Sequence, residues 1–362
     1  MYLSLKDSKY QVDYKKYVVF CRNMIYLYKV LLGRILIVEF EKVELSEKLI
    51  RDLYIDLRKK VNKWSEITKQ TPQARMGYVG QHLASIVTGF PGGKSGARGY
   101  DMIIDDSDRH NIKFAEIKTC YRVDQLGKCN VCNSVVSSLE KECSFCGSKN
   151  IKRNDDSKWL ITMKREEDLE LTFEPIYYYF VLFEFEEINN PNNTNIVASI
   201  WRVKTDEPGF FLCMLDYYYN IRANSASKAP FNMWPHMLKF HLTKPVKIYE
   251  AVIFDDDRIE TRLLDNSLEK EDELDDLEKY SAANINVETI KDVYKILNID
   301  LPIKKNKREL LKYLQEKRKS ISNADLADII SYAMYYKRIE PYIEKMPKHI
   351  QDRIKEIQEA IS

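Results

Sequence analysis

Apolar residues recur in short, evenly spaced segments through the middle of the chain, and this pattern predicts β-strands. The segments 100–104 and 112–118 are joined by a polar, turn-rich stretch, so they predict a hairpin. The segment 176–185 is apolar on both faces, which is typical of a strand in the centre of a sheet. Further strands are predicted at 195–204 and 246–254.

Helical spacing of apolar residues dominates both ends of the chain. Residues 77–87 predict a helix with Leu83, Ile86 and Val87 on one side. Residues 285–362 are predicted to be wholly helical, and residues 1–70 to form an N-terminal helical region. The expected fold class is therefore α/β, with a mixed sheet flanked by helices and an all-helical C-terminal region.

Length and charge refine this picture. The 362 residues suggest two or three domains, and a net charge of +2 means that any nucleic-acid binding would depend on local patches. Acidic residues dominate the stretch after Asp255, whereas Lys304 to Lys319 is strongly basic. The predicted organisation is an N-terminal region (1–70), a core (71–255) with an insert (125–155), an acidic linker (256–284) and a C-terminal domain (285–362).

Three residues of the predicted hairpin have side chains suited to metal-assisted hydrolysis. Side chains alternate along a strand, so Glu116 and Lys118 share one face, and the hairpin should bring Asp101 beside them. Two carboxylates can bind a hard divalent cation through oxygen, and a neighbouring amine can orient or deprotonate water. A solvated strand face would carry the same residue types, but the apolar flanks of both strands favour a site.

The spacing Asp101-x14-Glu116-x-Lys118 resembles the PD-(D/E)xK nuclease superfamily, and the chain as a whole resembles a type II restriction endonuclease. Tyr100 stands where the superfamily pattern has proline. The resemblance covers roughly residues 70–255 and implies a PD-(D/E)xK core.

That resemblance implies catalysis by Asp101, Glu116 and Lys118 with Mg2+ as cofactor. The ion would be held by Asp101, Glu116 and the main-chain carbonyl of Ile117, with Lys118 positioning the attacking water. Family members often carry a glutamate on the first core helix. Gln81 occupies that place here as an auxiliary residue, although an amide has no charge to give a metal.

Four of the seven cysteines form a Cys-x2-Cys-x10-Cys-x2-Cys pattern, Cys129, Cys132, Cys143 and Cys146. Two such turns can close a tetrahedral Zn2+ site, and the polar sequence between them could hardly build a core without metal. We expect an inserted four-cysteine zinc ribbon, whereas two disulfides would be the alternative in a secreted protein. The remaining Cys21, Cys120 and Cys213 stand in apolar contexts and should be buried or half-buried.

Two polar segments are candidates for DNA contact. Lys94 and Arg98 lie in a glycine-rich approach to Asp101, which is either a flexible loop or a phosphate-contacting lip of the site. Arg222, Asn224 and Lys228 lie between predicted strands and could read base edges, although a plain surface loop would have the same composition.

The C-terminal pattern from Ile290 to Leu314 resembles a SAP-type helix–extended–helix DNA-binding module. An accessory phosphate-binding domain and a helical bundle for dimerisation are both compatible with it. The zinc ribbon likewise could contact DNA or only brace its loop.

Taken with the resemblance, the sequence predicts a Mg2+-dependent, site-specific double-strand DNA endonuclease of a restriction-modification system, leaving 5′-phosphate ends. The expected partners are double-stranded DNA, a second subunit in a homodimer, and a DNA methyltransferase encoded nearby. Charged residues interrupt the apolar stretch 17–40 and no signal-peptide cleavage site follows, so a cytoplasmic location without a membrane span is expected. The alternatives are a structure-selective nuclease of repair, recombination or transposition, and a non-catalytic zinc-ribbon DNA-binding adaptor.

Overall fold

The computed structural model describes ten stretches of the chain: 40–68, 77–93, 100–105, 107, 112–190, 192–225, 229–265, 285–303, 306–318 and 321–361. The chain divides into two packing units after Leu45. In the first unit residues 40–45 are helical. The second unit begins at Ser46 and contains every strand of the described residues.

The described residues of this unit contain eleven strands, with helices before, between and after them. The strands are β1 (Met102–Asp105), β2 (Lys113–Tyr121), β3 (Leu126–Cys129), β4 (Val135–Ser137), β5 (Ile151–Lys152), β6 (Trp159–Ile161), β7 (Tyr177–Phe185), β8 (Ile196–Lys204), β9 (Phe231–Met233), β10 (Val246–Ile253) and β11 (Ile259–Leu264). The helices are α1 (Asp56–Thr68), α2 (Gly77–Thr88), α3 (Glu166–Phe173), α4 (Pro208–Asp216), α5 (Leu238–His241), α6 (Val287–Ile296), α7 (Lys307–Lys317), α8 (Asn323–Ile339) and α9 (Lys348–Ile361).

A six-stranded mixed sheet in the order β1-β2-β7-β8-β10-β11 forms the framework. Strands β1 and β2 pair antiparallel, with Met102 opposite Ala115, as the predicted hairpin requires. Strands β2 and β7 pair in parallel, and all other pairs in this sheet are antiparallel. Strand β7 lies inside the sheet and is buried on both faces, so the prediction of a central strand is confirmed.

One face of the sheet is covered by α2 and by the π-helical turn Ile50–Ile55 that precedes α1. Tyr54 packs its ring 4.7 Å from that of Phe183, and Tyr249 donates a hydrogen bond to Ser46 (3.1 Å). These contacts make residues from Ser46 onward part of the sheet's core. Within the predicted N-terminal region (1–70), the apolar stripe of these residues is thus buried on the sheet.

The opposite face is covered by α3, α4 and the C-terminal helices, which share one apolar core with the sheet. Trp159 of β6 and Phe180 of β7 lie in the same apolar cluster as Ile290 of α6 and Tyr335 of α8. The C-terminal region is helical as predicted. Its boundary at residue 285, however, does not separate two cores, because amphipathic helices bury their apolar stripe against the nearest apolar surface.

The predicted acidic linker, residues 256–284, begins in the structure with a strand. Strand β11 pairs antiparallel with β10, Val252 lying opposite Glu260. An edge strand tolerates charged residues on its exposed side, which explains why its composition predicted a linker. Residues 266–284 lie outside the described residues.

Among the described residues, no helix combines the length and the apolar character that crossing a bilayer requires.

Candidate active site and cysteine cluster

Asp101, Glu116 and Lys118 meet at the edge of the sheet where β1 begins. Glu116 and Lys118 lie on one face of β2 because they are two residues apart, and Lys118 Nζ lies 2.5 Å from Glu116 Oε1. Their side chains are 24% and 27% exposed, so both groups are accessible yet mostly shielded. Asp101 immediately precedes β1, opposite this part of β2. The structure thus brings together the three predicted residues.

The carboxylate of Asp101 is held by two neighbours. Gln81 Nε2 of α2 donates to Asp101 Oδ1 (2.7 Å), and the Ile117 main-chain N–H donates to Asp101 Oδ2 (2.9 Å). The N–H and C=O of one strand residue leave the strand on the same side, so the Ile117 carbonyl also points toward Asp101. Gly93 adds a main-chain hydrogen bond to the Asp101 carbonyl (2.9 Å). Asp101 is therefore held by three hydrogen bonds, two at its carboxylate and one at its main-chain carbonyl.

The groups around Glu116 shift the pKa of its carboxyl in opposite directions, and the pKa is raised overall. Burial raises the pKa of its carboxyl, and the neighbouring Asp101 carboxylate raises that pKa further, while the Lys118 ammonium opposes both. A carboxylate whose ionisation is opposed by burial and by a neighbouring carboxylate gains stability from a bound cation. Oxygen donors of this kind suit a hard divalent ion such as Mg2+.

A cleft of about 280 Å3 opens beside these groups. Phe114, Glu116 and Lys118 of β2 line one wall, and Asp168 and Thr172 of α3 lie on the other. Asp168 caps its own helix by accepting hydrogen bonds from the main-chain N–H groups of Lys164 and Arg165. A phosphodiester could approach Glu116 and Lys118 from this cleft.

The four predicted cysteines form a second cluster, within the insert 125–155 (hereafter the cysteine insert). Their sulfur atoms all lie within 4.8 Å of one another, with Cys129 and Cys146 Sγ 3.6 Å apart and Cys132 and Cys143 Sγ 3.5 Å apart. These cysteines are free thiols, which excludes the disulfide alternative in this structure. Four convergent sulfurs fit a tetrahedral Zn2+ site.

Two matching turns present the sulfurs. In each turn the residue after the second cysteine donates its N–H to the carbonyl of the first, Asn133 to Cys129 (3.0 Å) and Gly147 to Cys143 (2.8 Å). Both residues have positive φ, 61° for Asn133 and 67° for Gly147. Asparagine and glycine are the residues that adopt this conformation most readily.

The cysteine insert is fastened to the sheet by two arginines. Arg153 is only 8% exposed and donates to the carbonyls of Asn190 (3.0 Å) and Asn193 (2.7 Å) in the β7–β8 turn. Its guanidinium also lies over the ring of Phe185 at 4.2 Å. Arg122 pairs with Asp155 at the end of the insert. Arg153 is therefore a buried anchor of the cysteine insert.

Other predicted contact residues lie apart from the site or outside the described residues. Lys94, Arg98 and Lys228 lie outside them. Arg222 donates from Nε to the Met163 carbonyl (3.1 Å), and Asn224 donates to the Tyr219 carbonyl (2.7 Å). Arg222 ends a π-helical turn that continues α4, so the predicted loop starts later than expected. Both side chains brace this turn, and base reading would require them to give up these bonds.

Of the other predictions, Cys120 and Cys213 are buried as expected, and Cys21 lies outside the described residues. Helices α6 and α7 lie where the helix–extended–helix pattern places its two helices, and residues 304–305 between them lie outside the described residues. Both begin at asparagine N-caps, Asn286 and Asn306, whose side chains accept main-chain hydrogen bonds.

Sequence reasoning missed one residue of the site, Tyr178. It lies directly beside Glu116 in the β2–β7 register, and its hydroxyl is buried near that carboxylate, which helps to raise the pKa of the phenol. Only the register of two strands distant in sequence could have revealed it. The turn residue Asn133 was also missed, although its position matches that of Gly147 in the repeated turn pattern.

Comparison with known proteins adds a family assignment to this geometry. Among curated proteins and among solved structures, none matches the chain. The sequence model of the MamI restriction endonuclease family matches residues 63–277, which include Gln81, the three clustered residues and the cysteine insert. Because this match spans more than half of the chain, the protein belongs to the MamI restriction endonuclease family.

Proposed function

We propose that the protein is a Mg2+-dependent, site-specific endonuclease of a restriction-modification system that cuts double-stranded DNA and leaves 5′-phosphate ends. The observation that carries this proposal is the convergence of Asp101, Glu116 and Lys118 on one point of a hairpin edge. It agrees with the spacing of the PD-(D/E)xK superfamily and with the restriction endonuclease family of the chain.

Each residue of the cluster has a distinct part in this proposal. Asp101 and Glu116, with the Ile117 carbonyl, would hold the divalent ion, and Gln81 would keep Asp101 in place through its 2.7 Å hydrogen bond. The Lys118 ammonium would position the attacking water and stabilise negative charge that builds on the phosphate. When bound, the ion would supply Lewis-acid polarisation of the phosphate and a more acidic water.

The cysteine insert is proposed as a structural zinc ribbon. Its own buried core consists of Cys129, Val136, Cys143 and Ile151, which is too small to fold a segment of this length without metal. The four sulfurs have the donor type and proximity that Zn2+ requires.

Palindromic recognition would make the enzyme a homodimer, because a twofold protein matches a twofold site. A companion methyltransferase would protect the host's own copies of that site. The α6–α7 pair remains a proposal for accessory DNA binding of the SAP type or for dimerisation, and the cytoplasm is the proposed location.

A plasmid cleavage assay separates this function from its alternatives. With Mg2+, purified protein should cut plasmid DNA into discrete fragments. Cuts confined to branched DNA would indicate a repair or recombination nuclease, and binding without cuts would indicate an adaptor.

Lys118→Ala tests the assignment within the cluster. This variant should lose cleavage while it still binds DNA, because the ammonium acts on the reacting phosphate and not on the fold. Lys113→Ala is the matched control, since Lys113 lies on the same strand with its side chain 53% exposed. Full cleavage by Lys118→Ala would refute the assignment, and equal losses in both variants would indicate a general charge effect.

A further inference from the structure

The cysteine insert has a second surface that the zinc proposal does not use. Its three strands pair in the order β4-β3-β5, and one face of this small sheet is buried with the cysteines. Alternation places the intervening side chains on the opposite face, in solvent. This outer face carries two apolar residues, Leu126 (50% exposed) and Val135 (62% exposed), and two lysines, Lys128 and Lys152.

The two lysines are placed unfavourably for an isolated protein. Lys128 and Lys152 lie directly opposite each other in the β3–β5 register, so their side chains leave the sheet on the same side. Like charges in directly opposed positions destabilise a sheet. Within the described residues neither ammonium has a carboxylate in ion-pair distance, whereas Lys149 pairs with Glu142 (3.6 Å). An anionic partner bound at this face would offset the repulsion between the two ammonium groups.

The outer face also has a fixed position relative to the candidate active site. The part of β2 from Glu116 to Tyr121 leads toward the insert and covers about 17 Å in five residues of extended chain. The buried Arg153 and its bonds to the β7–β8 turn anchor the far end of the insert. A duplex rises about 3.4 Å per base pair, so DNA bound at Glu116 spans this distance in about five base pairs.

We propose that the outer face of the cysteine insert is a contact surface for duplex DNA that flanks the cleavage site. Lys128 and Lys152 each neutralise a backbone phosphate, while the apolar Val135 and Leu126 beside Lys128 pack against sugars. A protein partner fits this face less well, because lysine is depleted from the cores of protein–protein interfaces. The inference rests on the proposed nuclease function, since that function brings duplex DNA to the neighbouring site.

Salt-dependent binding tests the proposal. Full-length, zinc-loaded protein is titrated onto a labelled duplex of random sequence at several salt concentrations, without added Mg2+. The duplex is about 40 base pairs long, so that it extends well past the roughly five-base-pair span. Losing two phosphate contacts in the Lys128→Ala/Lys152→Ala double variant should reduce the slope of log affinity against log salt by about 1.8. At about 0.1 M salt the same relation corresponds to binding that is weaker on the order of 60-fold.

Lys149→Ala is the matched control, since it removes the same charge from the same insert at a lysine that already has an ion-pair partner. Its slope should equal that of the wild type. Zinc content should be unchanged in both variants and the melting temperature should not fall, which confirms that the insert is folded. An unchanged slope in the double variant, or an equal loss in Lys149→Ala, would overturn the proposal.

The outcomes also separate this surface from the nuclease function. If wild-type protein cuts plasmid with Mg2+ and the double variant keeps its salt slope, the surface proposal falls and the nuclease stands. If wild-type protein neither binds nor cuts DNA, both fall together. A double variant that changes sedimentation from dimer to monomer with unchanged DNA binding would overturn the proposal in favour of self-association.

Discussion

Replacing Gly80 by alanine should disturb the packing that holds Gln81 against Asp101. Helix α2 approaches β2 so closely at Gly80 that an added Cβ would lie 2.0 Å from Thr119 Oγ1 and 2.9 Å from its Cγ2. Thr119 Oγ1 also donates a hydrogen bond to the Gly77 carbonyl (3.3 Å), so rotating its side chain away sacrifices that bond. The next residue along the helix, Gln81, donates to Asp101.

Two opposing contributions set the size of the effect. Overpacking a tight contact costs about 1–3 kcal/mol in the free energy of unfolding. Alanine in place of glycine inside a helix returns about 1 kcal/mol. Gly80→Ala should therefore be destabilising by up to about 2 kcal/mol. In a Thr119→Ala background most of the clash is gone, and the same substitution should become neutral or stabilising by up to about 1 kcal/mol.

Urea unfolding of the wild type, both single variants and the double variant gives the coupling between the two positions. We expect a coupling free energy of about 1–3 kcal/mol, with cleavage by Gly80→Ala reduced and partly restored in the double variant. Effects that add within about 0.5 kcal/mol would refute the close-approach argument. Normal cleavage by a destabilised Gly80→Ala would show that α2 does not position Asp101.

Two further predictions concern the insert and the C-terminal helices. Cys143→Ser should lower bound zinc, measured by elemental analysis, and make residues 125–155 sensitive to protease while the rest of the chain resists; full zinc content would contradict the metal-dependent insert. A chain ending at residue 284 should fail to fold, since each large side chain lost from the shared core costs about 1.5–3 kcal/mol against a total stability of about 5–15 kcal/mol. A cooperative unfolding transition in that truncated chain would contradict the shared core.

Sequence patterns predicted the parts of this fold that depend on local periodicity. Alternation along β2 was enough to place Glu116 and Lys118 on one face, and the turn-rich stretch before β2 was enough to place Asp101 beside them. The apolar character of β7 on both faces predicted its central position, because only an internal strand is covered on both sides. The cysteine spacing predicted the sulfur cluster, since its turns are local structures.

Features that depend on long-range neighbours could not be predicted in this way. Arg153 looks like a surface residue in sequence, yet the main-chain carbonyls that receive its hydrogen bonds lie in a turn far along the chain. Arg222 has the character of a base-reading residue, but its acceptors lie near Met163. Helical periodicity in residues 285–361 indicates which side of each helix is buried. It does not indicate which part of the protein that side packs against. Strand β11 was missed because an edge strand can be as charged as a linker.

The central claim is that Asp101 and Glu116 bind one divalent ion beside Lys118. Anomalous diffraction from crystals soaked in Mn2+, a stand-in for Mg2+ with a strong anomalous signal, tests it most directly. We predict a peak within about 2.0–2.6 Å of oxygens from both carboxylates, the range for hard cations bound through oxygen. An Asp101→Asn variant treated in the same way should lose or weaken that peak. A strong Mn2+ site elsewhere, with the two carboxylates left without metal, would contradict the account.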